Sequence, residues 1–304
     1  MKSKIFENKI FMTVAALMCC ALWGISTPIV KMGYQYVDAS HPPVLILWAG
    51  IQFAIAGLLT IGICCAGEKK WVVPRKNGWK GIGIIAVFQT VLQYILLYVG
   101  LLYTTSVKGS ILKSTDVFFV MLIASLLFKQ EKLTTRKVVS CLIAFGGIIL
   151  MNLDGLELKL NPLGDGLVVL SAICYSFGVV ITKSVAQEEE PAVLCGYQMT
   201  LGGAIMVVIG LVFGGKILLA RMWPIILGLS VLYAASYAVW TVLLKHHPVS
   251  KVAIHSFMIP IFGVVFSAVM LQEDSGVAPL NLAAALILIS VGIILWGYEK
   301  KQVS

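Results

Sequence analysis

The chain has 304 residues, of which 59% are hydrophobic and only 12% charged, whereas an ordinary soluble domain carries about 25% charged residues. That balance excludes a soluble globular protein, and the segments of about ten alternating residues that mark a membrane β-barrel are not present. The formal net charge of +9 does not point to nucleic acid, because the basic residues are spread over alternate connections rather than gathered in one patch.

Ten apolar segments are expected as transmembrane helices, most of them near the roughly 20 residues that cross a hydrocarbon core. They cover residues 10–30, 44–66, 82–103, 109–128, 138–153, 166–182, 192–213, 223–244, 252–271 and 278–296. Lys2, Lys4 and Lys9 precede the first, as in a secretory signal, but nine further spans and no convincing small-residue cleavage site make it an uncleaved helix. The first span holds Trp23 and, near its end, Pro28. Pro42 and Pro43 open the second span, and the basic connection 67–81 carries Trp71 and Trp79 as interfacial anchors.

The third span has a polar stripe of Gln89, Gln93 and Tyr94. The fourth contains Lys113 and Asp116, three apart on one helical face and able to pair. Each charge at the bilayer centre costs about 2.5–3.5 kcal/mol even on insertion scales, so a pair at this depth needs a water-filled cavity or a structural reason. A polar connection, 154–165, then separates two halves. The sixth span has Tyr175 where the first has Trp23, and Pro191 opens the seventh behind Glu188, Glu189 and Glu190 at the positive end of its dipole. The eighth span carries Tyr233, Ser236, Tyr237 and Trp240 at helical spacing, and the ninth carries His255 and Pro260.

The two halves repeat one another. Glu131 closes residues 117–132 as Glu273 closes residues 259–274, and Trp23 to Lys31 matches Tyr175 to Lys183. The expected fold is therefore an all-α membrane protein of ten transmembrane helices in two repeats, residues 10–153 and 164–297. Five spans per repeat invert the second copy in the bilayer, the plan by which secondary transporters build two alternating faces. Among the 23 Lys and Arg residues, only Lys31, Lys108, Lys113, Lys159, Lys216 and Arg221 do not fall on the side of the N-terminus. This bias places both termini in the cytoplasm.

Inward-facing polar and aromatic residues define an expected substrate-binding set. Trp23, Tyr94, Tyr175, Tyr237 and Trp240 would form aromatic walls, and Gln89 and Gln93 would supply hydrogen bonds. Asp116 and His255 would pair with ligand or titrate, with Lys113 holding Asp116 or a substrate carboxylate. The same residues could instead cross-link helices. Pro28 and Pro260 each free a backbone carbonyl and are candidate hinges. The cargo is a small organic molecule rather than a multiply anionic one, because only Lys113, with Lys108 near the mouth, could oppose phosphates.

No cofactor or metal is expected. The seven cysteines lie in or beside spans without CxxC spacing, and no nucleophile–base pair or metal cluster occurs at membrane depth, which argues against an enzyme. The partners expected are a small-molecule substrate and the lipid bilayer, with a homodimer left open.

Taken in order, Trp23-Gly24 to Lys31, Ser106 to Glu131 leading into Gly146-Gly147, Tyr175 to Lys183, and Pro248-Val249 to Glu273 leading into Gly292 resemble the drug/metabolite transporter superfamily, EamA-like ten-helix type. The resemblance implies that spans one to four and six to nine surround a central cavity, with spans five and ten at the flank. It also implies transport of small organic molecules, often export of amino acids and related metabolites, across the plasma membrane. The chain departs from the common pattern in having Gln52 where many relatives carry Arg, and in lacking a fourth-span proline near Phe118. The alternatives are a channel, a receptor, or an importer of a nucleobase- or polyamine-type solute.

Overall fold

The computed structural model describes residues 8–38, 40–153, 161–217, 219–271 and 277–297. Glu273, one mark of the repeat, lies outside them. All regular elements among the described residues are helical. Helix α1 (Lys9–Gly33) starts where the Asn8 side chain accepts from the Ile10 and Phe11 amides, and it contains Pro28 without a break. Helix α2 (Pro42–Glu68) opens on its two prolines. Helix α3 (Gly78–Ile85) passes through a π-helical stretch, Ala86–Leu92, into α4 (Gln93–Leu101). The fourth expected span is two helices, α5 (Ser106–Lys113) and α6 (Asp116–Leu122), the second followed by another π stretch, Ile123–Leu127.

Next come α7 (Thr135–Met151), α8 (Pro162–Glu188), α9 (Pro191–Val212) and α10 (Leu219–His246). The ninth span is α11 (Val249–Ala253), a 3₁₀ turn Ile254–Phe257 and α12 (Met258–Leu271), and α13 (Pro279–Gly297) is the last helix among the described residues.

Eight of these stretches are long and apolar enough to cross a membrane. Helix α7 has 17 residues, about 25 Å at 1.5 Å per residue against a core of roughly 30 Å. The apolar stretch of α13, Asn281–Ile294, is shorter still. These two pack on each other.

The fourth and ninth spans are interrupted at matching places, which their apolar patterns do not reveal. In the fourth, Ser114 Oγ and Thr115 Oγ1 donate to the Ser110 and Leu112 carbonyls of their own helix, a bonding pattern that competes with the helical ladder. In the ninth, Pro260 cannot donate to the Ser256 carbonyl one turn earlier, and the 3₁₀ stretch lies there.

Packing exchanges the halves. Helix α1 lies against α10 and α12, while α8 lies against α4 and α6, so the first span of each half is gripped by the third and fourth of the other. Helices α2 and α9 form the most extensive pair. A separate polar knot ties the ends of α4 and α5 to the start of α8. Lys108 pairs with Asp165, whose carboxylate also accepts from Thr104 Oγ1 (2.8 Å) and the Asn161 amide (2.9 Å). Both side chains of that ion pair are about nine-tenths buried. Asp165→Ala is therefore expected to cost about 3 kcal/mol, read as a lowered thermal unfolding midpoint of the detergent-solubilised protein.

Candidate substrate cavity

A cavity of about 720 Å³ lies between α1, α4, α5, α6, α8, α10 and α12. It contains the charge pair: Lys113 Nζ stands 2.8 Å from Asp116 Oδ2 and 4.3 Å from the centre of the Tyr175 ring. The interruption at Ser114–Thr115 favours this arrangement. It places Lys113 in the last turn of α5, where a cation suits the helix dipole, and Asp116 in the first turn of α6, where an anion does. Ser176 Oγ holds the Asp116 carbonyl at 3.0 Å, fixing α6 to α8 beside Tyr175.

The wall above the pair is aromatic. Trp23 meets Tyr237 edge-on at 5.3 Å, and the Tyr94 and Tyr237 hydroxyls lie 3.5 Å apart. Gln93 and Tyr233 complete this side, and Gln93 Oε1 is buried without a hydrogen-bond partner among the described residues. Lys31, Tyr34, Asn152, Ser267 and Ala268 line the cavity where α1, α7 and α12 end.

The opposite ends of the same helices are cross-linked by polar contacts. Lys183 Nζ donates to the Leu244 and His247 carbonyls, both at 2.8 Å. Gln130 Nε2 donates to the Val180 carbonyl (3.0 Å) and Ser184 Oγ (2.8 Å). Glu131 pairs with Lys137 at 3.1 Å and accepts from the Ser250 amide, with both charged side chains almost fully buried. The cavity thus reaches one end of the bundle, and side chains from both halves brace the other.

Of the residues singled out from the sequence, the structure brings Trp23, Gln93, Tyr94, Lys113, Asp116, Tyr175, Tyr237 and Pro260 to the wall. It places the other four elsewhere. Gln89 Oε1 accepts from Thr182 Oγ1 (3.1 Å), a brace between the third and sixth spans. Trp240 is fully buried behind Trp23, with ring centres 4.9 Å apart. His255 is buried with Nδ1 beside the Lys251 and Val252 carbonyls of its own helix, so that nitrogen carries the proton and Nε2 has no hydrogen-bond partner among the described residues. Pro28 is buried outside the lining. Depth in the membrane can be read from hydropathy, but the rotation of each helix cannot, and these four lie on rotated faces.

The sequence reading left Tyr233, Ser26, Asn152, Ser256 and Ser267 out of the binding set, yet all five line the cavity. Tyr233 carried a usable signal, since it is four residues from Tyr237. Scattered serines carry none.

The sequence pattern of the EamA-like transporter family matches residues 10–153 and again 162–296. The uncharacterized transporter YvbV of Bacillus subtilis is 27% identical over 289 residues, covering 92% of this chain and 89% of that protein. A probable amino-acid metabolite efflux pump of Salmonella typhimurium is 22% identical over 310 residues, covering 94% and 95%. A protein of known crystal structure shares the fold, with a TM-score of 0.74 at 15% identity over 94% of this chain and 98% of the other. The helices, the cavity and this match agree: the chain belongs to the EamA-like transporter family and is a multi-pass membrane transporter, not an enzyme.

Proposed function

We propose that the protein is an alternating-access secondary carrier that exports small amphipathic metabolites, amino acids or related solutes, across the plasma membrane. In this reading ten spans form two inverted repeats, residues 10–153 and 164–297, with both termini in the cytoplasm. The observation that carries it is a cavity with a charge pair on its wall, open toward one end of the bundle while side chains of both halves brace the other. A channel would need a path through both ends. The distribution of Lys and Arg supports the orientation, which turns the cavity mouth outward. The Salmonella relative, named for amino-acid metabolite efflux, supports the solute class and the direction.

Lys113 and Asp116 bind opposite ends of a solute bearing both charges, and Trp23, Tyr94, Tyr175 and Tyr237 enclose its apolar part. The purified protein is expected to be stabilised by one of these solutes in a thermal-shift screen of amino acids, nucleobases and polyamines. A ligand at a hundred times its dissociation constant contributes about 2.7 kcal/mol. The same solute should show saturable counterflow in proteoliposomes. Flux that rises linearly with concentration and shows no counterflow would rule out a carrier.

A further inference from the structure

The connection between α2 and α3 is bonded to the bundle along its inner side. The Tyr197 hydroxyl donates to the Val72 carbonyl at 3.0 Å, and the Arg75 amide donates to Glu189 Oε1 at 3.0 Å. Pro74 is buried, and the Trp79 ring meets Tyr197 edge-on with centres 5.3 Å apart. Lys245 Nζ binds the Glu189 carbonyl at 3.1 Å, which joins the connection to the braced end.

The outer side carries the charge. Lys69, Lys70, Arg75, Lys76 and Lys80 are all exposed. Lys70 stands 3.7 Å from Glu68, both side chains more than half exposed, and a pair so placed contributes little. The other exposed carboxylates of this end, Glu188 and Glu190, leave the cations in the majority. Among them stand Trp71, Val73 and Trp79, 75%, 57% and 46% exposed. Indole rings favour the level of the lipid headgroups, and cations fixed at that level face phosphate. Basic residues that only oriented the chain during insertion would need to be numerous. They would not need a backbone anchored so that every one of them points outward.

We propose that residues 69–80 form a docking surface for acidic phospholipid headgroups of the leaflet at the braced end. Trp71 and Trp79 enter the interface, and the cations around them meet the phosphates and their uncompensated charge. Through Glu189 the lipid is linked to the turn between α8 and α9. The inference goes beyond the carrier reading and does not depend on it.

The test uses the protein in phosphatidylcholine bilayers that contain rising fractions of phosphatidylglycerol, or of phosphatidylcholine, with brominated acyl chains. Quenching of tryptophan fluorescence, measured with and without Trp71→Phe/Trp79→Phe, isolates the lipid beside these two rings. The parent is expected to favour phosphatidylglycerol about tenfold. Each Lys or Arg near an anionic surface contributes up to about fivefold, so Lys69→Gln/Lys76→Gln should bring the preference below about threefold. Salt at about 1 M, where the screening length is about 3 Å, should do the same to the unmodified protein, so the test stands even where the variant is unstable. Lys129→Gln/Lys132→Gln removes the same charge from another exposed connection of this end and should keep the preference. Absence of a preference in the parent, or its persistence in Lys69→Gln/Lys76→Gln or in high salt, would overturn the proposal. So would an equal loss in the two double variants, which would mark a diffuse attraction of the whole face.

Discussion

Asp116→Asn and Lys113→Met should each reduce transport about 10- to 100-fold, the loss that follows when a charge-assisted hydrogen bond of about 1.5–3 kcal/mol to the solute is removed. Their effects on stability distinguish a binding role from a bracing one. The pair stands at 2.8 Å with side chains 23% and 12% exposed, so water in the cavity screens it in part. Removing one partner from a fully buried pair costs about 3–5 kcal/mol, chiefly because the other charge is left unpaired. At this partly wetted site about 2–3 kcal/mol is expected for either single variant.

The double variant Lys113→Met/Asp116→Asn leaves no orphan charge and should return to within about 1 kcal/mol of the parent. Transport should nevertheless stay low, because neither end of a zwitterionic solute then finds its partner. Thermal unfolding and counterflow measured on the three variants decide the matter. If the double variant transports at the parental rate, the pair is a brace between α5 and α6, and binding lies with the aromatic wall.

How much of this was legible in the sequence varies with the physical signal. Helical class and the approximate positions of the spans follow from long apolar runs, since a chain in lipid must satisfy its backbone polar groups internally. The charge pair was legible because Lys113 and Asp116 are anomalous in their surroundings. The broken helix that separates them was not, because Ser114 and Thr115 bend the chain through local hydrogen bonds that hydropathy does not register. Gln89 and Gln93 show the same limit. Four apart, they share a face in an α-helix, yet Gln93 lines the cavity while Gln89 bonds Thr182. The π stretch Ala86–Leu92 widens the turn before Gln93 and alters that register. His255 was singled out as an intramembrane group that could pair with ligand or titrate, and the offset that sets Glu131 on Glu273 also sets Lys113 on it, but its ring turns back onto its own span instead of entering the cavity.

Gly203→Val should abolish or severely weaken folding, whereas Gly62→Val should be nearly silent. Both glycines belong to the paired helices α2 and α9, so the comparison isolates close approach from any general effect of adding bulk to a membrane helix. A Cβ on Gly203 would stand 2.3 Å from the Ala54 nitrogen and 2.7 Å from the Gly50 oxygen. These are backbone atoms of the facing helix, which cannot swing aside as a side-chain tip can. Gly57 faces α9 in the same way, with a Cβ position 2.5 Å from the Gly196 oxygen, so the seam is tight over several turns. A Cβ on Gly62, by contrast, would meet nothing within 4 Å. Lipid offers little hydrophobic drive for two helices to associate, so van der Waals packing through small residues must hold them together. Overpacking typically costs about 1–3 kcal/mol, and a clash with backbone that separates the whole seam should exceed that range. The expected result is a Gly203→Val protein that is scarce in the membrane or unfolds well below the parent, beside a Gly62→Val protein with a parental midpoint. Equal midpoints for the two would show that the α2–α9 seam yields freely and that close backbone approach does not hold these two helices together.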